Sequence, residues 1–314
     1  MKKILFAIAI VMFALSCTPN DEPTGPKEPT SKYKKHAGEG EIKVMSFNIR
    51  TKTSNDEGIN HWDQRKSACI SLIKDQMPDI MGVQEAQYNS QWTYLKDKLQ
   101  SSGYEGYGVN RSNGKESDSG EVVGVLWNKN VIKVVKDADG NNIMGTFWLS
   151  ETPEKPSRSW GMSMNRTATW GLFEHIPTGR QFFFLNTHLP LANDKLDDPD
   201  TAKKEGMKII EQKLLEYYED YPLYMTGDFN VISTDKVLDG VREFMRNART
   251  YASVRDSKST VNGFGTSTSR KQIDHIYYSD YLKAVEYYTI TDAYDGVTYV
   301  SDHYPIYAIL KLKK

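Results

Sequence analysis

Seven short apolar runs, at residues 42–47, 79–83, 122–127, 182–187, 223–226, 273–278 and 304–311, set the layout of this chain. Each has the length and residue types of a buried β-strand. Helical patterns lie between several of them. Residues 63–76 open with Asp63 as a candidate N-cap and stop before Met77-Pro78, while 89–101 and 202–219 are further amphipathic stretches. No internal repeat at a fixed period and no second linker breaks the succession. The expectation is one α/β domain over residues 41–314, with more than one sheet because strands outnumber helices.

The strand ends carry the chemistry. Run 42–47 stops at Asn48, run 79–83 at Gln84-Glu85, run 182–187 at His188, and run 223–226 gives Gly227-Asp228-Phe229-Asn230. Asp274 sits inside Ile273–Tyr278, and Asp302-His303 precede the last run. Carboxylates tight against buried strands are costly unless paired or bound to a cation, and ligands of open α/β sheets collect outside strand ends. Asp, Glu and Asn oxygens are hard ligands that suit Mg²⁺ or Mn²⁺. No cysteine belongs to the set, which argues against structural zinc. A carboxylate-bound Mg²⁺ with His and Arg nearby is equipment for phosphoryl chemistry. Singly, each residue has an ordinary reading: Glu85 as a turn acid, His188 as a satisfied structural histidine, Asp302 as a turn cap. Their ordered combination does not.

Charge excludes other classes. Lys and Arg number 40 against 41 Asp and Glu, so bulk electrostatic capture of nucleic acid is disfavoured, though transient action on it is not. With 39% hydrophobic and 26% charged residues, the chain is neither disordered nor a multi-span membrane protein. Two cysteines exclude a disulfide scaffold.

The N-terminus reads as a targeting segment. Lys2-Lys3 precede an apolar run at 4–15, then Ser16-Cys17. That run is too short to span a ~30 Å hydrocarbon core as a helix but fits an export signal. A small residue before Cys17 resembles a bacterial lipobox, which makes Cys17 the lipidated first residue; a plain secretory signal and a retained anchor are the alternatives. Residues 18–40, with four prolines and little that is apolar, read as a flexible tether. Asp21-Glu22 resembles the acidic signal that sends some lipoproteins to the cell surface, or is plain linker polarity. The chain is thus expected outside the cytoplasm as a membrane-anchored monomer, in the outer membrane facing the periplasm or at the cell surface. Cys69, within the apolar stripe Ala68, Ile70, Leu72, Ile73, is expected to be a buried structural thiol.

The motifs Ser46-Phe47-Asn48-Ile49-Arg50, Gln84-Glu85, Asn186-Thr187-His188, Gly227-Asp228-Phe229-Asn230, Ile273-Asp274-His275 and Ser301-Asp302-His303-Tyr304-Pro305, in this order, resemble those of the endonuclease/exonuclease/phosphatase superfamily. The resemblance spans about Glu41 to Leu312. It includes deoxyribonuclease-I-like enzymes, sphingomyelinases and inositol-polyphosphate 5-phosphatases. The resemblance implies a four-layer α/β sandwich, two facing mixed sheets flanked by helices, with the site at one edge. It implies Glu85 as the main ligand of Mg²⁺ or Mn²⁺, one or two ions, with Asn48 beside it and Asp302 completing the shell. Asp228 and Asn230 would position water and a phosphate oxygen. His303 would be the acid/base imidazole held by Asp274, His188 a second histidine with Glu121 as its carboxylate, and Arg111 and Arg166 phosphate-facing arginines. Arg111 alone also reads as a solvated loop charge. The reaction so implied is water attack on phosphorus at a phosphodiester or phosphomonoester.

The substrate is a phosphoester of open identity: a small molecule, a lipid head group or a nucleic acid, the last making the chain a non-specific extracellular endonuclease. A surface-binding lipoprotein on a retired scaffold is the reading from another class, and it predicts lost motif residues. Trp62, Trp160 and Phe264, with Thr260–Arg270, are candidates for the mouth of the site. Trp148–Trp170 resembles a branch of generic family members.

Overall fold

The structure, a computed structural model, describes residues 37–193 and 195–313. Cys17 and most of the expected tether lie outside them. In chain order the strands are β1 (Glu41–Asn48), β2 (Ile80–Gln87), β3 (Tyr104–Tyr107), β4 (Glu121–Asn128), β5 (Ile132–Val134), β6 (Met144–Trp148), β7 (Thr167–His175), β8 (Arg180–His188), β9 (Leu223–Asp228), β10 (Met245–Asn247), β11 (Val254–Arg255), β12 (Asp274–Ser279), β13 (Leu282–Thr289) and β14 (Ile306–Leu312). The helices are α1 (Trp62–Gln76), α2 (Thr93–Gln100), α3 (Thr201–Tyr218), α4 (Asp239–Phe244) and α5 (Ala248–Tyr251).

The strands form two mixed sheets of seven. One has the order β11-β13-β14-β1-β2-β4-β3; the other runs β10-β12-β9-β8-β7-β5, with β6 also paired to β7. Both faces of the central strands are covered, which is why they read as continuous apolar runs. Val44, Phe182, Phe184, Tyr224, Ile306 and Ala308 fill the space between the sheets. Met45 and Phe47, one residue out of phase, pack outward with Leu72 and Ile73 of α1 and Leu95 of α2. Phe183 and Leu185 do the same with Met207 and Ile210 of α3. This is the expected four-layer sandwich.

Two local expectations change. His61, not Asp63, caps α1: its ring Nδ1 accepts from the Asp63 N–H at 3.4 Å. The helix stops at Met77, whose left-handed backbone (φ 48°) turns the chain into Pro78. Trp62 is not at a mouth; it is fully buried, edge-on to Tyr94 at 6.0 Å. Cys69 is buried as expected, and burial pushes its thiol up to about 12. Among the described residues, no helix is long and apolar enough to cross a membrane.

Candidate active site

Strand register brings the polar ends together. β1 runs parallel to β2 with Asn48 opposite Gln84, and β8 runs parallel to β9 with His188 opposite Asp228. Antiparallel β12 sets Asp274 directly opposite Asp228. Along one face the residues change character: Ile42, Val44, Ser46, Asn48 in β1 and Phe182, Phe184, Asn186, His188 in β8. The apolar half is core and the polar half is the site. Behind the site a buried amide network ties the sheets. Gln84 Nε2 donates to Ser46 Oγ (3.1 Å) and Asn186 Oδ1 (2.7 Å), and Asn186 Nδ2 donates to the carbonyls of Val83 (2.9 Å) and Gly124 (2.8 Å). A Cβ on Gly82 would collide with Thr226 and Asn186, so glycine is needed for this approach.

Glu85 is aimed by backbone irregularity. The β2–β4 pairing shifts register between Val83 and Ala86, and Glu85 itself has φ 63°. Such a bulge re-aims a side chain. Asn48 Nδ2 donates to Glu85 Oε1 (2.9 Å) and to Asp228 Oδ2 (3.0 Å), while the Thr51 N–H donates to Glu85 Oε2 (3.0 Å). Arg50 (φ 57°) and Asn230 (φ 52°) are also left-handed. Non-glycine residues are seldom held so unless their surroundings determine it.

Asp228 sits at the centre. Its Oδ1 accepts from the Asn230 N–H (3.0 Å), and its Oδ2 lies 3.5 Å from His188 Nε2 and 3.9 Å from His303 Nδ1. Burial, reinforced by the Asp274 carboxylate, pushes the Asp228 carboxyl up to about 7. His303 Nδ1 meets Asp274 Oδ2 at 2.9 Å. Burial opposes the charged imidazolium there, but Asp274 and Asp228 together hold His303 well above its ordinary value. His188 is driven the opposite way, by burial first and then by Arg166 and Arg111.

Two groups of potential ligand atoms lie within 4.8 Å of one another: Glu85, His188, Asp228 and Asp228, Asp274, His303. Buried carboxylates this close favour a cation between them, and the oxygen-rich set fits a hard divalent ion. Asp302 belongs to neither group. Its carboxylate lies 3.7 Å from Arg50 NH1 and near enough to Glu85 to feel its charge, while Asp228 and His188 are the groups that neighbour Glu85 most closely. Asn48 turns its amide nitrogen to both carboxylates, its oxygen accepting from the Arg50 N–H at 3.0 Å.

The pairing of Glu121 with His188 is overturned. Glu121 Oε2 binds Arg111 NH1 at 2.7 Å, and the Arg111 N–H also donates to the Glu121 carbonyl at 2.9 Å. Arg111 is therefore a buried, paired residue, not a solvated loop charge. His188 Nδ1 has no hydrogen-bond partner among the described residues. The same holds for Arg166 Nε and NH1, although Arg166 is 7% exposed. Burial and the neighbouring Arg111 lower the Arg166 guanidinium to about 10. Arg166 opens onto a cavity of about 370 Å³, whose walls include Trp160, Met162, Met164, Pro190 and Leu191. Phe264 lies apart from it, half-buried over the Arg65 guanidinium at 5.7 Å.

Arg65 is the supporting residue missed from sequence. Fully buried, it donates to four main-chain carbonyls: Asn60 (2.9 Å), Ile49 (2.5 Å), Arg50 (2.7 Å) and Val300 (3.1 Å). It thereby joins the segment after Asn48 to the one before Asp302. Its signal was available: it falls on the stripe that continues through Ala68, Cys69 and Leu72.

A fold and site of this kind define a phosphoester-hydrolase scaffold. The chain belongs to the Endonuclease/Exonuclease/phosphatase family, whose model matches residues 45–303. It is similar to a family protein from Bacteroides vulgatus, with 28% identity and TM-score 0.76 over 87% of this chain and 99% of that one. It is also similar to a mannosyl-6-phosphatase from Bacteroides thetaiotaomicron, with 29% identity and TM-score 0.74 over 86% and 99%. A protein of Acanthamoeba polyphaga mimivirus is 24% identical over 289 residues, 86% of this chain and all of its own.

Proposed function

We propose that the protein is a divalent-metal-dependent hydrolase of small phosphomonoesters of sugar type, active outside the cytoplasm. The observation that carries this reading is Arg166. Its buried guanidinium has N–H donors without a partner among the described residues, lies within reach of the Glu85 and Asp228 charges, and lines a cavity at the small end of the roughly 300–1,000 Å³ typical of small-molecule pockets. An arginine fork suits phosphoryl oxygens. The similarity to a mannosyl-6-phosphatase supports a sugar phosphate over a nucleic acid.

Glu85 and Asp228 supply the oxygens that would hold Mg²⁺ or Mn²⁺, with Asn48 bridging them. Bound there, the ion would neutralise phosphoryl charge as a Lewis acid. Asp228, fixed by the Asn230 N–H, takes the proton of the attacking water. The water oxygen bonds to phosphorus, the phosphorus–alkoxyl bond breaks, and the alkoxide leaves as the alcohol with the proton that Asp228 took from the water. His303, with Nδ1 engaged by Asp274, turns Nε2–H to the phosphoryl group. Neutral His188 and Arg166 orient the remaining oxygens.

The test is a panel of hexose 6-phosphates, inositol phosphates, sphingomyelin, plasmid DNA and bis-p-nitrophenyl phosphate, each with Mg²⁺, Mn²⁺ or EDTA. Turnover is expected on the sugar phosphates and abolished by EDTA. Glu85→Gln should weaken metal affinity and lower turnover by about 10²-fold or more without lowering the melting temperature. Full turnover in excess EDTA would refute the metal dependence, and preferred cleavage of plasmid DNA would refute the substrate class.

A further inference from the structure

The cavity beside Arg166 has a wall that the chemistry at phosphorus does not require. Trp160 (φ 52°) and Gly161 (φ 70°) are consecutive left-handed residues. That conformation is unfavourable for a bulky side chain and persists only when braced. Three bonds brace it. The Met162 N–H donates to the Ser159 carbonyl (3.1 Å), Ser159 Oγ accepts from the Glu151 N–H (3.1 Å), and Asn193 Nδ2 donates to the Gly161 carbonyl (3.0 Å). The last ties the turn to the segment that follows His188, the end of β8. Next to it, Arg111 NH2 reaches Met164 Sδ at 3.0 Å.

The indole held this way is unlike the others. Of six tryptophans, Trp62, Trp92, Trp127 and Trp148 are buried, and Trp170 stacks on Phe183 at 5.6 Å. Trp160 is half-buried, lines the cavity, and has no ring or cation partner among the described residues. Leu191, on the same cavity, is 68% exposed. The turn thus sets on one cavity an indole and a guanidinium that, among the described residues, lack ring and hydrogen-bond partners respectively, the pair of groups that a ligand with an anionic end and a ring would use.

We propose that Trp160 is a specificity-determining residue, the platform on which the sugar ring of the substrate lies while its phosphate meets Arg166. The apolar face of a pyranose stacks on an indole, and its hydroxyls keep their water at the open side of the cavity. This rests on the phosphomonoesterase reading, and it adds which residue selects the alcohol. Removal of the platform should weaken binding of ring-bearing substrates and spare those without a ring, because the ring contact is made equally in the ground and transition states.

The variant to use is Trp160→Gly, since glycine accepts the left-handed backbone and preserves the turn that alanine would strain. Trp160→Phe retains a ring. Full-length protein is assayed with Mg²⁺ or Mn²⁺ on a hexose 6-phosphate, glycerol phosphate and a 5′-nucleotide. Trp160→Gly should raise KM for the hexose phosphate about tenfold with kcat within about twofold, leave glycerol phosphate unchanged, and be largely rescued in Trp160→Phe. Equal losses on hexose and glycerol phosphates would overturn the proposal, as would greater sensitivity of the nucleotide, which would make the platform a nucleobase site. Calorimetric titration of hexose 6-phosphate into wild type and Trp160→Gly in EDTA reads the platform without turnover. About tenfold weaker binding in the variant supports the assignment even if the wild type releases no phosphate, and equal affinity overturns it.

Discussion

His303 Nδ1 and Asp274 meet at 2.9 Å in a largely enclosed pair, so Asp274 fixes how the imidazole is held and, with Asp228 beside it, favours the charged ring. Two groups that perform one step do not give additive losses. His303→Ala should cost several orders of magnitude in kcat, Asp274→Asn somewhat less, and the double variant little more than His303→Ala. Circular dichroism melts alongside the kinetics separate this from a fold defect, because Asp274 also occupies the register position opposite Asp228. Multiplicative losses in a well-folded double variant would dissolve the pair and leave Asp228 to act alone. The residues of this site were legible because carboxylates and histidines interrupt apolar runs, where burial makes an idle charge costly. Their partnerships were not. Glu121 pairs with Arg111 because backbone pairing sets the two side by side, a relation that no spacing in the sequence expresses.

At the scale of elements, the strands recovered from sequence were those buried on both faces, such as β8, with Phe182 and Phe184 inward and Phe183 and Leu185 outward. β7 was missed because Thr167, Ala168, Thr169 and Gly171 give a weak apolar signal despite burial, and β13 because Lys283, Glu286 and Tyr288 break its run. Strands of two to five residues, including β5, β10 and β11, exist only through their neighbours. One junction yields a pH prediction. His275, buried in β12, donates from Nε2 to the Val231 carbonyl (2.9 Å), and its Nδ1 accepts from Asn247 Nδ2 (3.3 Å), while Asn247 Oδ1 caps α5 at the Thr250 N–H. A second ring proton would face a donor. Burial lowers His275 from 6.5 to about 4. The fold favours the neutral ring, so the stabilisation is complete above 6.5 and is lost as pH falls through about 4, amounting to roughly 3 kcal/mol. Urea midpoints from pH 7 to pH 4 should therefore fall more steeply in wild type than in His275→Gln. Parallel curves would mean that His275 does not drive the acid loss.

For the whole molecule, the polar end of the sandwich and its entry point are at opposite ends of one strand. β1 begins at Glu41 and delivers Asn48 to the site seven residues later, about 23 Å at strand rise. A lipid at Cys17 would thus be joined to the domain through the start of β1, across an 18–40 segment that spans at most roughly 80 Å when fully extended. That arrangement suits an enzyme whose substrates arrive from solution, in keeping with a small cavity that Trp160 and Leu191 line. We propose the anchor on the apolar run ending in Ser16-Cys17, and its test is physical. One acyl chain binds membranes only marginally, whereas several anchor stably. Full-length protein and Cys17→Ala, expressed in a bacterial host and partitioned into detergent, should separate, with the parent in the detergent phase and the variant in water. Activity per folded molecule should match in both, because the site lies at the far end of β1. If both forms partition alike, Cys17 carries no lipid and the N-terminal run is a plain secretory signal or a retained anchor.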